Sequence, residues 1–318
     1  MTHTPVAQAP AAVADLALAP PPAAHGGDGA RLAAALGVDP DDVLDLSASL
    51  NPCAPDVAAL AARHLRSLHR YPDATAATSA LARAIGVDAD RLVLTAGGSE
   101  AIALVAHERG AGRVDGPEFS LYERHLAHLD PAAGRWRSNP NNPLGTLAAP
   151  GERAAVWDEA FWPLATGAWT RGDADRGSFV VGSLTKVFAC PGLRVGYVIA
   201  PAADAAERLR RRQPLWAVGS LACALVPDLL DRADLPAWRS AIARLRSDLA
   251  DLLGRHEHEV VAADAPWVLV SPAGDLRHRL AAHGVLVRDC ASFGLVDTVR
   301  IAVPDERGLA RLARALRP

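Results

Sequence analysis

The chain has 318 residues, 33 of them basic and 36 acidic, a formal net charge of −3, and a hydrophobic half. This length suits one large domain plus a smaller one, with a sizeable core. Both charge signs are interspersed, so no basic stripe faces a nucleic-acid backbone and no polybasic segment faces a membrane; neither is expected as a partner.

Residues 1–24 are rich in Ala and Pro and lack Lys and Arg. They read as a flexible extension with no core of its own, and not as a signal peptide. No later run is apolar for long enough to span a bilayer. Cys53, Cys190, Cys223 and Cys290 lie far apart with no CxxC pair, which argues against a zinc site or a disulfide framework and fits a reduced, cytoplasmic setting. No metal site is expected.

From His25 onward, apolar runs of strand length alternate with helical patterns, the signature of an α/β chain with a mostly parallel central sheet. RLVLTAGG, from Arg91 to Gly98, leads into SEAIALVAHERG and reads as strand, tight turn, helix. The strand ahead of SNPNNP is poorly apolar, with Arg135 and Arg137 beside Trp136, so the large sheet is expected to be trimmed or irregular there. SFVVGSLT and RVGYVIAP read as buried strands on either side of a proline and glycine turn. Between Leu235 and His256, Trp238, Ile242, Leu245, Leu249, Leu252 and Leu253 recur at helical spacing, predicting one long amphipathic helix capped by Asp234 with Pro236 in its first turn. WVLVS, GVLVRDC and TVRIAV then supply three short strands before a closing helix. The expected division is a large domain over 25–212, its N-terminal segment contributing to a substrate pocket, and a smaller α+β domain over 213–318.

Within this framework one residue stands apart. Of the 33 basic residues 32 are arginine, and Lys186 is the single lysine. A composition that uses arginine wherever positive charge suffices marks this exception as chemistry a guanidinium cannot do. A lysine amine loses its proton when desolvated and then condenses with an aldehyde. If that aldehyde is pyridoxal phosphate, the site also needs hydroxyls, amides and an arginine for the phosphate, an acid for the ring nitrogen, and an aromatic to stack on the ring.

SLTKVFACPGLRVGY, from Ser183 to Tyr197, resembles the lysine motif of the fold type I pyridoxal phosphate enzymes of the aminotransferase superfamily. The resemblance implies that Lys186 carries pyridoxal 5′-phosphate and that Ser183, Thr185 and Arg194 bind its phosphate. TAGGSEAI resembles the family's glycine turn, which would bring Gly98 and Ser99 at a helix start to the same phosphate. SNPNNPLG resembles NPNNPTG, with Leu144 where threonine is usual, and implies that Asn142 bonds the ring oxygen. In WDEAF, Asp158 matches the aspartate that pairs with the ring nitrogen. PEFSLY implies Phe119, ahead of Tyr122, as the stacking aromatic. Tyr71 in RYPD matches a tyrosine that reaches across a dimer interface to the partner's cofactor phosphate, so a homodimer is expected.

Within the superfamily the chain is similar to histidinol-phosphate aminotransferases and to the threonine-phosphate decarboxylases of cobalamin biosynthesis. HGGD at His25 to Asp28, LDLSASLNP at Leu44 to Pro52, Phe161 in DEAF where the aminotransferases commonly have tyrosine, and LVRDCASF at Leu286 to Phe293 tilt the resemblance to the decarboxylases. It implies a small phosphorylated amino-acid substrate whose carboxylate Arg300 grips and whose phosphate Arg288 binds, with Asn51 and His25 completing the pocket. The expected reaction is decarboxylation of L-threonine O-3-phosphate to 1-amino-2-propanol phosphate, with an aminotransferase of the histidinol-phosphate type as the alternative. GAGRVDG has the wrong spacing for a dinucleotide loop, and HEHE at His256 to Glu259 reads as a solvated helix end.

Overall fold

In the computed structural model, residue 21 and residues 25–317 are described. The expected extension over 1–24 lies, apart from residue 21, outside them. Twelve strands follow in chain order. β1 is Leu44–Leu46, β2 Leu92–Thr95, β3 Ala111–Val114, β4 His128–Leu129, β5 Arg135–Ser138 and β6 Val156–Asp158. β7 is Phe179–Gly182, β8 Gly196–Ile199, β9 Val260–Ala262, β10 Trp267–Val270, β11 Val285–Asp289 and β12 Val299–Ala302.

Seven of them form one sheet in the order β2-β8-β7-β6-β5-β3-β4, parallel throughout except for β8, which runs antiparallel to both β7 and β2. Its central strands β6, β7 and β8 are buried at every position, as strands covered on both faces must be. β5 is regular, contrary to expectation, and pairs in register with β3 and β6. Strand alternation resolves the conflict. Trp136 and Ser138 are buried, while Arg135 and Arg137 both meet Glu152, at 2.5 and 2.9 Å.

The second sheet, β1-β11-β12-β10-β9, is mostly antiparallel. β1 belongs to the stretch read as large domain, yet it pairs parallel to β11 in this sheet, Leu44 opposite Val285 and Leu46 opposite Val287. Three residues, Leu44 and Asp45 half-buried and Leu46 buried, carry too little periodicity to say which sheet they join.

The long helix runs Leu235–Arg255, and the Asp234 carboxylate accepts the Ala237 N–H at 3.0 Å as its cap. Its buried face is the expected set of residues. Trp238 and Ile242 pack in the core beneath the seven-stranded sheet, while Leu245, Leu249, Leu252 and Leu253 pack in that of the second sheet. One helix therefore fastens both layers. None of the described helices is long and apolar enough to cross a membrane.

Candidate active site

The parallel strands end on one edge of the large sheet, where an α/β fold leaves a crevice for ligands. Just past those ends stand Gly98 and Ser99 after β2, Asn142 after β5, and Ser183, Thr185 and Lys186 after β7; Asp158 closes β6. The second sheet faces them with Arg288 of β11 and Arg300 of β12, and the segment from His25 to Leu50 supplies a third wall. These residues and Phe119, Phe161 and Arg194 line one cavity of about 540 Å³, a ligand-sized space.

Lys186 sits on a single helical turn, Leu184–Val187. So short a helix leaves its last carbonyls without intrahelical partners, and Asn51 fills that need. Its backbone N–H donates to Lys186 O at 3.1 Å, its Nδ2 to Val187 O at 2.8 Å, and its Oδ1 accepts the Cys53 N–H at 2.9 Å. Asn51, expected to touch substrate, is instead spent on backbone and holds the lysine turn from behind. Burial first, and then the cations Arg300 and Arg194, hold the Lys186 amine down to about 8 from 10.5; Asp158 and Asp45 pull the other way.

Asp158 is buried, and its carboxylate accepts the Tyr122 phenol O–H at 2.8 Å and the Ala160 N–H at 2.9 Å. Burial raises its pKa, opposed by those two donors and by the Lys186 charge. Tyr122 is thus fully buried as a support for the acid, whereas Phe119 lines the cavity, 5.9 Å from the Tyr122 ring in an edge arrangement and 5.4 Å from the His25 ring.

At the other end, Gly97 adopts φ +82°, and a Cβ there would lie 2.5 Å from the Arg194 guanidinium. Only glycine lets the strand turn into the Gly98–Arg109 helix with that cation against it. The first amides of this helix and the Arg194 guanidinium, which donates to Pro191 O at 3.3 Å and Ala96 O at 3.5 Å, make an anion-favouring corner beside Ser183. The Thr185 hydroxyl donates to Val195 O at 3.2 Å, so its proton serves the turn.

Asn142 is fixed from two sides. Its N–H donates to Ser138 Oγ at 2.8 Å, and its Oδ1 accepts from Arg300 Nη1, which leaves the amide Nδ2 as a donor. Arg300 lies over the Trp267 ring at 4.9 Å, and burial lowers its pKa to about 10, so it stays charged at neutral pH. Arg288 donates to Ser292 Oγ at 2.7 Å and lies 5.4 Å over Phe293. Burial and the nearby cations Arg288 and Arg124 hold His25 below its usual range. Behind it, Asp45 accepts Gly29 N–H and Ser47 N–H, both at 2.9 Å, and the Ser47 hydroxyl at 2.5 Å. A Cβ on Gly26 would sit 2.1 Å from Ser47 O, which is why the opening motif needs glycine.

Tyr71 is 79% exposed, stacks on Trp216 at 4.5 Å and does not line this cavity. The sequence reading also passed over Asp45, Ser47, Glu118 and Ser138. All four are short polar side chains or acids with a partner 16 or more residues away, beside the local Asp45–Ser47 and Ser138–Asn142 bonds, and nothing in a single sequence makes the distant pairs.

The family model of aminotransferase class I and II matches residues 136–316, more than half of the chain. The chain belongs to this family. It is 30% identical to the threonine-phosphate decarboxylase of Salmonella typhimurium over 92% of this chain and 96% of that one. It is 28% identical to the histidinol-phosphate aminotransferase of Halorubrum lacusprofundi over 88% and 91%. Among solved structures, the histidinol-phosphate aminotransferase from Clostridium acetobutylicum superposes with a TM-score of 0.74 at 23% identity, covering 86% of this chain and 98% of that one. The fold is that of the fold type I enzymes, and the cofactor of this family member is pyridoxal 5′-phosphate.

The site fits that cofactor on its own terms. It offers an amine with a lowered pKa, a buried carboxyl held between two donors, a glycine cradle that a Cβ would fill, and a buried Arg300 Nε without a hydrogen-bond partner among the described residues.

Proposed function

We propose that this protein decarboxylates L-threonine O-3-phosphate to 1-amino-2-propanol phosphate, a step of cobalamin biosynthesis. The observation that carries this reading is that Arg288 and Arg300 are direct cross-strand partners on β11 and β12 and line the same cavity as Lys186. Like charges placed opposite each other destabilise a sheet. A substrate bearing two anions, a carboxylate and a phosphate on one small frame, offsets that repulsion. Threonine phosphate has both, whereas histidinol phosphate has only the phosphate. The likeness to threonine-phosphate decarboxylase supports the same choice.

Bound pyridoxal phosphate supplies an electron sink for the one α-carbon bond held perpendicular to its ring. The chain decides which bond that is. Arg300 would grip the carboxylate and Arg288 the phosphate, fixing the substrate at both ends. Asp158 would keep a proton on the ring nitrogen, Asn142 would donate to the ring oxygen, and Lys186 would be a group able to return a proton to the α-carbon. Phe161 adds no hydroxyl there, so Asn142 acts alone on that oxygen.

An aminotransferase acting on histidinol phosphate is the second reading, favoured by the similarity to the Halorubrum enzyme. Incubation with threonine phosphate is expected to release carbon dioxide. Formation of glutamate from histidinol phosphate and 2-oxoglutarate, without carbon dioxide from threonine phosphate, would overturn the lyase assignment. We take the working form to be a homodimer, since Leu68, Tyr71, Leu215 and Trp216 leave large apolar surfaces exposed, and its setting to be cytoplasmic, in keeping with four free cysteines.

A further inference from the structure

We propose that Glu118 is a positioning residue that tunes the Asp158 carboxyl through Ser138 and Tyr122, and so governs how firmly the ring nitrogen holds its proton. The inference rests on Asp158 facing that nitrogen.

Glu118 precedes the cavity-lining Phe119 but is itself buried behind the site. Its two oxygens accept the Ser138 N–H at 3.2 Å, the Ser138 hydroxyl, and Asn141 Nδ2 at 3.1 Å. Ser138 closes β5, next to Asp158 at the end of β6; the two are register partners. The Ser138 oxygen also accepts the Asn142 N–H at 2.8 Å, and its hydroxyl acts on the Tyr122 phenol, which donates to Asp158 at 2.8 Å. Ser138 and Tyr122, each bonded to one of the two acids, therefore stand between one carboxyl and the other.

The charged groups facing Glu118 are Asp158 from β6 and Arg137 from β5. Burial outweighs both Arg137 and the Ser138 bonds and brings Glu118 up to about 7, with Asp158 adding to the rise. Its charge thus changes within the working range of pH.

The serine has one proton to give. When Glu118 is ionised, Ser138 spends that proton on it. When Glu118 is protonated, its own O–H donates to the Ser138 oxygen, and the serine proton is free for the Tyr122 oxygen. A phenol that accepts a hydrogen bond is a better donor, so Tyr122 then stabilises the Asp158 carboxylate more strongly, and removal of the Glu118 charge lowers the basicity of Asp158 further. A less basic Asp158 leaves the proton on the ring nitrogen. Raising the pH through 7 reverses each step and draws that proton toward Asp158.

The test is the ¹⁵N chemical shift of ring-labelled pyridoxal phosphate in the holoenzyme without substrate, followed from pH 6 to pH 8.5. The wild type is expected to show an inflexion near pH 7. Glu118→Gln, whose amide donates to Ser138 as the protonated acid does, is expected to stay at the low-pH shift throughout. Ser138→Ala keeps both acids and cuts the chain between them, and its inflexion should shrink by at least half. An inflexion unchanged in Glu118→Gln, or none in the wild type, overturns the proposal. A ring nitrogen that is unprotonated at every pH in the wild type would instead remove the Asp158 assignment on which it rests. Because no substrate is present, the outcome does not depend on which reaction the enzyme catalyses.

Discussion

Arg300 of the second sheet donates to the side-chain oxygen of Asn142, on the loop that leaves the first. The proposed carboxylate grip and the proposed ring-oxygen donor are thus two ends of one hydrogen bond. The guanidinium aligns the amide so that its Nδ2 is the free end, and the amide fixes the plane of the guanidinium.

Arg300→Lys tests this geometry. Lysine keeps the charge but gives up the planar fork, so it cannot hold Asn142 and a carboxylate together. Losing one hydrogen bond to a charged group costs about 1.5–3 kcal/mol, which corresponds to roughly a 10- to 150-fold fall in kcat/KM for threonine phosphate. The visible absorbance of the bound cofactor should shift as well, because Asn142 is released. A variant with unchanged kcat/KM would remove Arg300 from the site.

Lys186→Ala should abolish the borohydride-stable adduct found by mass spectrometry on the peptide holding residue 186, and with it turnover. The pH dependence of loading has a definite sign. Only the neutral amine reacts, and Lys186 is held at about 8. Cofactor incorporation into the apoprotein should therefore rise about tenfold per pH unit below pH 8 and level off above it. A lysine at its ordinary value would keep rising to about pH 10.

Much of this site was legible in the sequence because its parts are local. The lysine turn, the glycine turn, the Asn142 loop and the Asp158 segment each carry their meaning within a few residues, and the first two follow strands that could themselves be read. What could not be read depends on pairing over distance. Asn51 sits in a recognisable segment, but its role follows from carbonyls more than 130 residues away. β1 belongs to the second sheet because its partner is β11, and β5 is regular because Glu152 lies beside its arginines.

Gly97→Ala should damage the phosphate corner. The backbone stands at φ +82° and ψ 172°, a region kept almost wholly for glycine, where a Cβ costs about 1–3 kcal/mol, and the new methyl would press on Arg194 at 2.5 Å. The expected result is a lower melting temperature and weaker binding of pyridoxal phosphate in fluorescence titration, with the affinity loss persisting at temperatures where the protein is fully folded. Loss of stability alone, with unaltered affinity, would take Gly97 and Arg194 out of cofactor binding.

Phe161→Tyr introduces the hydroxyl that the DEAF segment lacks. Phe161 packs edge-on against Trp267 at 4.8 Å, with the Lys186 amine 5.9 Å from its ring centre. A phenol donating to the cofactor's ring oxygen would favour the ionised oxygen, so the pH midpoint of the visible absorbance change should fall by about one unit, the equivalent of 1.36 kcal/mol. An unmoved midpoint would mean that this position does not reach the ring oxygen and that phenylalanine says nothing about the reaction.

The exposed pair Tyr71 and Trp216 bears on assembly. A tyrosine stacked on a tryptophan at 4.5 Å, with Leu215 81% exposed beside it, is costly to leave in water. Trp216→Asp should shift sedimentation from dimer to monomer. If Tyr71 serves the partner's cofactor phosphate, as proposed, Tyr71→Phe should leave the dimer intact and, by removing one hydroxyl bond worth about 1 kcal/mol, weaken cofactor binding about fivefold. A wild-type chain that is monomeric and fully active would contradict both, because Tyr71 does not line the cavity of its own chain and would have no second site to serve.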